Sequence, residues 1–163
     1  MKFYLLYDKL TYTLTFFCLF IIFGLPTLFF LADNNLCSSL IFLAINCTIL
    51  APAIALAPRY YMLQEDKIII KKVIGKIVIH NNDIENITTI DSKVTKGLFR
   101  KFASGGFLGW YGLFSSNTLK NVSMWAGSIS KNLVLIKLKS NKSYIITPKE
   151  LEVFMDTVKD VNQ

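Results

Sequence analysis

The chain has 163 residues, of which 53% are hydrophobic and 18% charged, and its formal net charge is +7 at pH 7. Soluble domains carry about a quarter charged residues, so part of this chain must be strongly apolar. Such a composition excludes a disordered chain, which lacks apolar surface to bury. Three cysteines, an odd number, argue against a disulfide-rich secreted fold. The class of protein that fits this composition is a small integral membrane protein with a water-facing part.

Two uncharged runs follow each other near the N-terminus, over residues 11–32 and 34–58. About 20 apolar residues cross the hydrocarbon core as a helix, and both runs are long enough. The polar break Asp33-Asn34-Asn35 is so short that the two helices must form an antiparallel hairpin. We predict transmembrane helices over about residues 11–32 and 36–58, and we assign residues 1–58 to a membrane anchor.

The basic residues that flank the two runs predict the orientation of the hairpin. Lys2 and Lys9 precede the first run, and the second is followed by Arg59, Lys67, Lys71 and Lys72. The connecting loop has no basic residue and carries Asp33. By the positive-inside rule, both termini face the cytoplasm, and the protein is a multi-pass protein of the cell (inner or cytoplasmic) membrane.

Small residues repeat every four positions along the second run, at Cys47, Ala51 and Ala55. Such spacing lets another helix approach closely. Packing against the first run is the favoured interpretation, and the alternative is a face through which the protein forms a homo-oligomer. Neither run contains Asp, Glu, Lys, Arg or His, the residues that mark ion and proton pathways, so a transporter is disfavoured.

Residues 59–163 contain 16 basic and 9 acidic residues, a balance of +7, and we assign them to one cytoplasmic domain. Short apolar runs separated by turn residues predict a set of strands. These predicted strands are 60–63, 67–72, 76–80, 84–91, 106–114, 122–126, 133–139 and 143–147.

The residues near the C-terminus predict a helix. Thr147 is the predicted N-cap, Pro148 occupies the first helical position and Glu150 completes a capping box. An apolar stripe at helical spacing follows, formed by Leu151, Phe154, Met155 and Val158. The expected fold class is therefore α+β and mostly β, with one amphipathic helix covering the open end of a barrel or bent sandwich.

The stretch from Arg100 to Gly112, together with Trp125-Ala126, 134–136 and 144–148, resembles a bacterial pleckstrin-homology-like family. The order of segments over about residues 60–160 is similar too. The resemblance implies a β-roll of two antiparallel sheets, capped by one C-terminal helix, behind an N-terminal two-helix membrane hairpin. Ala103 stands where the family usually has glycine, which implies a stiffer loop. No ligand follows from the fold, because it hosts many ligands and protein contacts.

The sequence offers no catalytic constellation, so we expect neither an enzyme nor a cofactor. His80 is the only histidine, and residues 59–163 contain no cysteine for a zinc site. The glycines around Gly106 lack the lysine and hydroxyl of a phosphate-binding loop. We interpret them as positions that allow a bend or a close backbone approach.

One segment is a candidate binding loop because basic and aromatic residues alternate there beside glycines. Its residues are Lys96, Arg100, Lys101, Phe102, Gly105, Gly106, Gly109 and Trp110. Near a membrane such residues engage anionic headgroups, with about 1 kcal/mol per basic side chain. A merely solvated basic face is the competing interpretation. No nucleic-acid motif accompanies the patch, so nucleic acid is not an expected partner.

These observations lead to one expected function and one alternative. The expected protein is a membrane-anchored, non-enzymatic binding or scaffolding module on the cytoplasmic face. It contacts the lipid bilayer, through anionic headgroups, or an unknown protein partner. The alternative is an accessory subunit of a larger membrane complex, in which the hairpin itself makes the contact.

Overall fold

In the computed structural model, which describes residues 1–33, 36–116, 119 and 121–161, two long helices extend from a β-rich domain. A short strand β1 (Lys2–Tyr4) comes first, followed by helices α1 (Lys9–Asp33) and α2 (Leu36–Leu56). Both helices are long and apolar enough to cross a membrane, and both are almost wholly exposed. The expected helix pair is confirmed and is compatible with membrane association. Asn34 and Asn35 of the predicted break lie outside the described residues.

The first sheet has four strands in the order β1-β2-β3-β4, all antiparallel. The new members are β2 (Pro58–Gln64), β3 (Lys67–Lys72) and β4 (Lys76–His80). The chain leaves β1, makes the helical hairpin and returns beside β1 as β2, with Phe3 opposite Tyr61. The residues before the hairpin therefore belong to the β domain.

This pairing corrects the boundary at residue 58, which assigned the whole N-terminal segment to the anchor. Phe3 and Leu5 are buried in the same core cluster as Tyr61 and Phe154. The sequence did not reveal the strand because three residues are too few to show an alternation of apolar and polar side chains.

The second sheet has six strands in the order β5-β9-β10-β8-β7-β6. Its elements, with the short helix α3 between the first two, are β5 (Ile84–Thr89), α3 (Ser92–Lys96), β6 (Phe99–Gly105), β7 (Trp110–Ser115), β8 (Val122–Ala126), β9 (Val134–Leu138) and β10 (Ser143–Ile146). Strands β8 and β10 pair in parallel, so the expectation of two wholly antiparallel sheets is wrong at this pair. Local alternation predicts a strand but does not encode which neighbour it pairs with.

The C-terminal helix α4 (Leu151–Val161) caps the core, as its apolar stripe predicted. Phe154 is fully buried and makes an edge-to-face contact with Phe3, with the ring centroids 5.2 Å apart. Leu151 and Met155 pack against the same cluster. A mostly β domain with a single capping helix is thereby confirmed in the described part of the chain.

The predicted capping box is wrong. Thr147 is fully buried, and its hydroxyl accepts a hydrogen bond from the Gly127 N–H at 2.8 Å. Its own N–H donates to the Tyr61 hydroxyl at 3.1 Å, and its carbonyl accepts from the Leu6 N–H at 2.9 Å. The helix begins only at Leu151. Tertiary hydrogen bonds thus use the groups that the local pattern assigned to a helix start.

Candidate functional site

The first turn of α1 is embedded in the β domain. The Asp8 carboxylate accepts hydrogen bonds from the Thr11 N–H at 2.8 Å, the Ser128 hydroxyl at 3.0 Å and the Ile129 N–H at 3.3 Å. The buried Thr11 hydroxyl donates to the Gly127 carbonyl at 2.8 Å. These bonds fix the start of α1 against the loop that follows β8.

Asp8 should make stability depend on acid pH. Burial raises the pKa of its carboxyl, but the hydrogen bonds from Thr11, Ser128 and Ile129 outweigh burial, so the pKa lies below its ordinary value. Stability from a lowered pKa is present above the unfolded-state value of about 3.9 and is lost as the pH falls through the folded-state pKa. Because the Asp8 carboxylate caps the first turn of α1, Asp8→Ala should lower the free energy of unfolding by about 0.5–2 kcal/mol at pH 7, and by less at pH 3.

Denaturant titrations of the full chain in detergent at the two pH values measure this difference. Asp66→Ala is the matched control, because the Asp66 carboxylate is exposed in a surface ion pair with Lys67. An Asp8→Ala loss of equal size at both pH values would contradict the assignment.

The glycine-rich turn between β6 and β7 packs against α1. Gly106 has a φ of +98°, and a side chain there would meet Leu14 of α1. Its N–H donates to the Gly109 carbonyl at 3.0 Å. The Thr15 hydroxyl accepts from the Leu108 N–H at 2.9 Å and lies 3.2 Å from the Gly106 carbonyl oxygen. The interpretation of the glycines as positions of close backbone approach is confirmed.

Trp110, the first residue of β7, also takes part in the contact between this turn and α1. It is buried in the second core cluster, beside Phe114 and Met124. Its indole Nε1 donates to the Thr11 hydroxyl at 3.2 Å. Trp110 therefore supports the start of α1 from within the core and contributes no exposed surface.

The last turn of α2 is bonded to both sheets. The final carbonyls of a helix lack partners within it. Here the Ala53 carbonyl accepts a hydrogen bond from the Tyr111 hydroxyl at 2.6 Å, and the Ala55 carbonyl accepts from the Ile74 N–H at 2.8 Å. Burial raises the pKa of Tyr111 further above neutral pH, at which its hydroxyl is protonated in any case. The β domain is thus joined to the ends of both helices.

The segment predicted as a basic loop is mostly strand β6, which corrects that interpretation. The register shifts between Arg100 and Phe102, so Lys101 is the extra residue of a β-bulge. All three side chains are exposed, Phe102 to 81%. Lys96 closes α3. The sequence did not reveal this strand because apolar and polar residues do not alternate along it.

A groove of about 770 Å³ separates the outer face of β6, β7 and β8 from α2. We name it the α2 groove. The helix lines it with Ile49, Pro52, Ala53 and Leu56, and the sheet lines it with Tyr111, Leu113 and Trp125, with Arg100, Lys101 and Phe102 at its edge. Its volume lies within the range of about 300–1,000 Å³ that small-molecule sites occupy.

The charges around the α2 groove have one sign. Among the described residues that line it, Arg100 and Lys101 are basic and none is acidic. The Arg100 guanidinium lies 5.7 Å from the Trp110 ring centroid, and Lys101 Nζ donates to Asn121 Oδ1 at 2.8 Å. In the part of the chain that the structure describes, neither forms a salt bridge. Because Trp110 faces the core side of the sheet, the Arg100 guanidinium lies away from the groove. Among the described lining residues, Lys101 is therefore the charged group beside the apolar wall.

The structure divides the predicted site residues into two groups. Arg100, Lys101 and Phe102 lie at the edge of the α2 groove. Gly106, Gly109 and Trp110 face α1 or the core instead. Gly105 faces the Arg100 guanidinium, which lies beside Trp110. Alternation along the predicted strand 106–114 could have singled out Tyr111 and Leu113. The contribution of α2 required the tertiary structure, because nothing local pairs a helix with a distant strand.

The small-residue face of α2 was expected to pack against α1, and most of it does not. Cys47 and Ala51 are exposed and Ala55 is half-buried. The favoured packing against α1 is therefore wrong for Cys47 and Ala51, and the oligomer face stays a prediction. The two helices meet elsewhere, for example where the Phe29 and Phe42 ring centroids lie 5.6 Å apart.

The fold and the helix pair define a pleckstrin-homology-like β domain that is joined to two apolar helices. The family model described as bacterial PH domain matches residues 59–162. The chain belongs to this family, and the β-roll implied by the resemblance is confirmed. No curated protein and no solved structure matches the chain.

Proposed function

We propose that the protein is a membrane-anchored, non-enzymatic binding module whose β6 strand contacts anionic lipid at the cytoplasmic surface of the cell membrane. Domains of this family are generally binding modules without catalysis. The observation that carries the proposal is the exposed basic and aromatic surface of β6 directly beside α2.

The attachment of the helices supports this position for β6. The β domain holds α1 at its first turn and α2 at its last turn, so both helices leave it toward the same side. Phe102 is exposed near that side, and so is Ile74, whose N–H caps α2. Exposed aromatic and basic side chains favour the membrane–water interface.

A fluorescent label at position 102 tests this proposal in the full chain. The three cysteines are replaced, Phe102→Cys carries an environment-sensitive dye, and the protein is reconstituted in phosphatidylcholine with and without phosphatidylglycerol. We expect blue-shifted emission at position 102, with a larger shift when the anionic lipid is present. Asn141→Cys, in the exposed turn between β9 and β10, is the control and should report water in both membranes. Identical emission at both positions would overturn the proposal.

The exposed Cys47 and Ala51 favour a second candidate function, that of an accessory subunit in a larger membrane complex. Small residues on a lipid-facing helix allow close approach of another helix. Crosslinking through Cys47 in native membranes would capture the partner helix. A chain that remains uncrosslinked there would remove this candidate.

A further inference from the structure

We propose that the turn between β3 and β4 inserts into the cytoplasmic leaflet, with Val73 and Ile74 at the acyl chains and nearby lysines at the lipid phosphates. We name residues 73–75 the β3–β4 tip. The inference rests on the membrane-spanning position of α2 in the proposed function, and it is independent of the contact made by β6. It adds a second attachment, on the first sheet, which would fix the tilt of the β domain against the bilayer.

The hydrogen bonds of the β3–β4 tip place it alongside the last turn of α2. The chain passes from α2 directly into β2, and β3 runs back antiparallel to β2, toward the helix. The Val73 N–H donates to the Ala57 carbonyl at 2.9 Å, and the Ile74 N–H donates to the Ala55 carbonyl at 2.8 Å. Ala55 lies inside the uncharged run 34–58. With α2 in the membrane, the tip therefore lies at the boundary of the acyl chains.

The two side chains at the tip are apolar and exposed. Ile74 is 68% exposed and Val73 is 40% exposed. Single exposed apolar residues are common on protein surfaces, but these two are adjacent and belong to the turn that is bonded to α2. Insertion among acyl chains would remove their apolar surface from water, which is favourable.

A row of tyrosine and lysine side chains crosses the first sheet beside the tip. The register places Tyr4 opposite Tyr60, Tyr60 opposite Lys71, and Lys71 opposite Lys76. Residues directly opposite each other share one face of a sheet. Tyrosine and lysine are enriched at membrane–water interfaces, because each has an apolar body and a polar end. We name these four residues the tyrosine–lysine row.

The spacing between the row and the tip matches the headgroup layer. Lys71 precedes Ile74 by three residues, which corresponds to about 10 Å along a strand. The headgroup layer of one leaflet is about 5–8 Å thick, from the difference between the whole bilayer and its hydrocarbon core. A tip at the acyl chains therefore brings the tyrosine–lysine row to the lipid phosphates.

Charge distinguishes the two ends of the first sheet. The end nearest α2 carries Lys71 and Lys76, and neither forms a salt bridge with a described residue. The opposite end carries Glu65 and Asp66 in the turn between β2 and β3, where Lys67 is bonded to Asp66. An anionic leaflet attracts the lysines and disfavours the carboxylates. This charge distribution orients the tip toward the membrane.

A protein partner fits the tip less well than a bilayer does. Specific protein interfaces bury about 1,200–2,000 Å² in total, and two exposed side chains supply only a small part of that. Lysines are also depleted in protein interfaces. A bilayer requires no shape complementarity, and its phosphates would pair with the lysines beside the tip.

Depth-dependent quenching in the full chain tests the inference. The three cysteines are replaced and Ile74→Cys carries a bimane dye. The protein is reconstituted in phosphatidylcholine and phosphatidylglycerol with a nitroxide on either the headgroup or the acyl chain. We expect the acyl-chain nitroxide to quench position 74 about twofold or more strongly than the headgroup nitroxide, because the tip lies beside Ala55.

Glu65→Cys is the control, since it lies in the exposed turn at the other end of β3, about 20 Å away. Neither nitroxide should quench a dye there. Val73→Cys replaces Ile74→Cys if that variant does not fold. Absence of acyl-chain quenching at the tip would overturn the inference.

The double variant K71Q/K76Q, made in the Ile74→Cys background, tests the lysines. Nitroxide-labelled phosphatidylglycerol should quench the parent more than nitroxide-labelled phosphatidylcholine does. We expect this preference to fall by up to about fivefold for each lysine removed. K139Q/K142Q removes the same charge from the exposed turn between β9 and β10 and should leave the preference unchanged. An unchanged preference in K71Q/K76Q would overturn the assignment of the lysines to the phosphates.

The outcomes separate this inference from the contact of β6. A label at position 74 in the acyl chains, with a label at position 102 in water, would support the tip and overturn the β6 contact. The reverse result would overturn the tip and leave the proposed function standing. Crosslinking of Ile74→Cys between two copies, without quenching of the dye, would assign the tip to a homo-oligomer and overturn the inference.

Discussion

Phe3→Ala should lower the free energy of unfolding by about 3–5 kcal/mol, because truncation of a buried phenylalanine removes apolar burial and leaves a cavity. Phe3 is 3% exposed and contacts the Phe154 ring. It lies between β2 and the capping helix α4, so the whole β domain should feel the loss. A fragment that begins at residue 59 lacks β1 and the buried side chains of Phe3 and Leu5, so it should be destabilised for the same reason.

Denaturant unfolding of the full chain in detergent, followed by tryptophan fluorescence, measures this effect, since Trp110 and Trp125 both lie in the β domain. Tyr4→Ala is the matched control on the same strand, because Tyr4 is 60% exposed. It should change stability by no more than about 0.5 kcal/mol. If Phe3→Ala lowered the free energy of unfolding as little as Tyr4→Ala does, β1 would not be part of the cooperative fold.

Gly109→Ala should destabilise the protein by about 2 kcal/mol or more. Gly109 has a φ of +126°, and an added Cβ would lie 2.8 Å from the Ala126 carbonyl oxygen of β8. A strained backbone conformation costs about 1–3 kcal/mol, and overpacking costs a similar amount. Both costs act on the folded state at the turn that contacts α1.

Gly97→Ala is the control for this change. Gly97 has a φ of −93°, and nothing lies within 4 Å of an added Cβ. Stability should stay unchanged or rise by about 0.4–1 kcal/mol, because alanine restricts the unfolded chain. The same unfolding assay compares the two variants. If Gly109→Ala were as stable as the parent, the structural role assigned to the glycine turn would be wrong.

The sequence by itself determined the features that depend on neighbouring residues. Two long uncharged runs predicted the helix pair, and short apolar runs between turn residues predicted strands such as Lys67–Lys72 and Val122–Ala126 with their observed bounds. The 3.6-residue period of the apolar stripe predicted the buried face of α4. The residues from Arg100 to Gly112 indicated the family. Each of these signals is complete within a few turns or one strand.

Tertiary structure alone decided the features that depend on distant residues. The three residues of β1 become a strand only because β2 returns beside them after the helices. Thr147 bonds Gly127 and Tyr61 instead of capping a helix, since buried polar groups must be paired wherever partners lie. The α2 groove likewise forms from residues distant in sequence, such as Ala53 and Tyr111, which are 58 positions apart and are joined where the Tyr111 hydroxyl donates to the Ala53 carbonyl. A local sequence pattern carries no information on such contacts between distant residues.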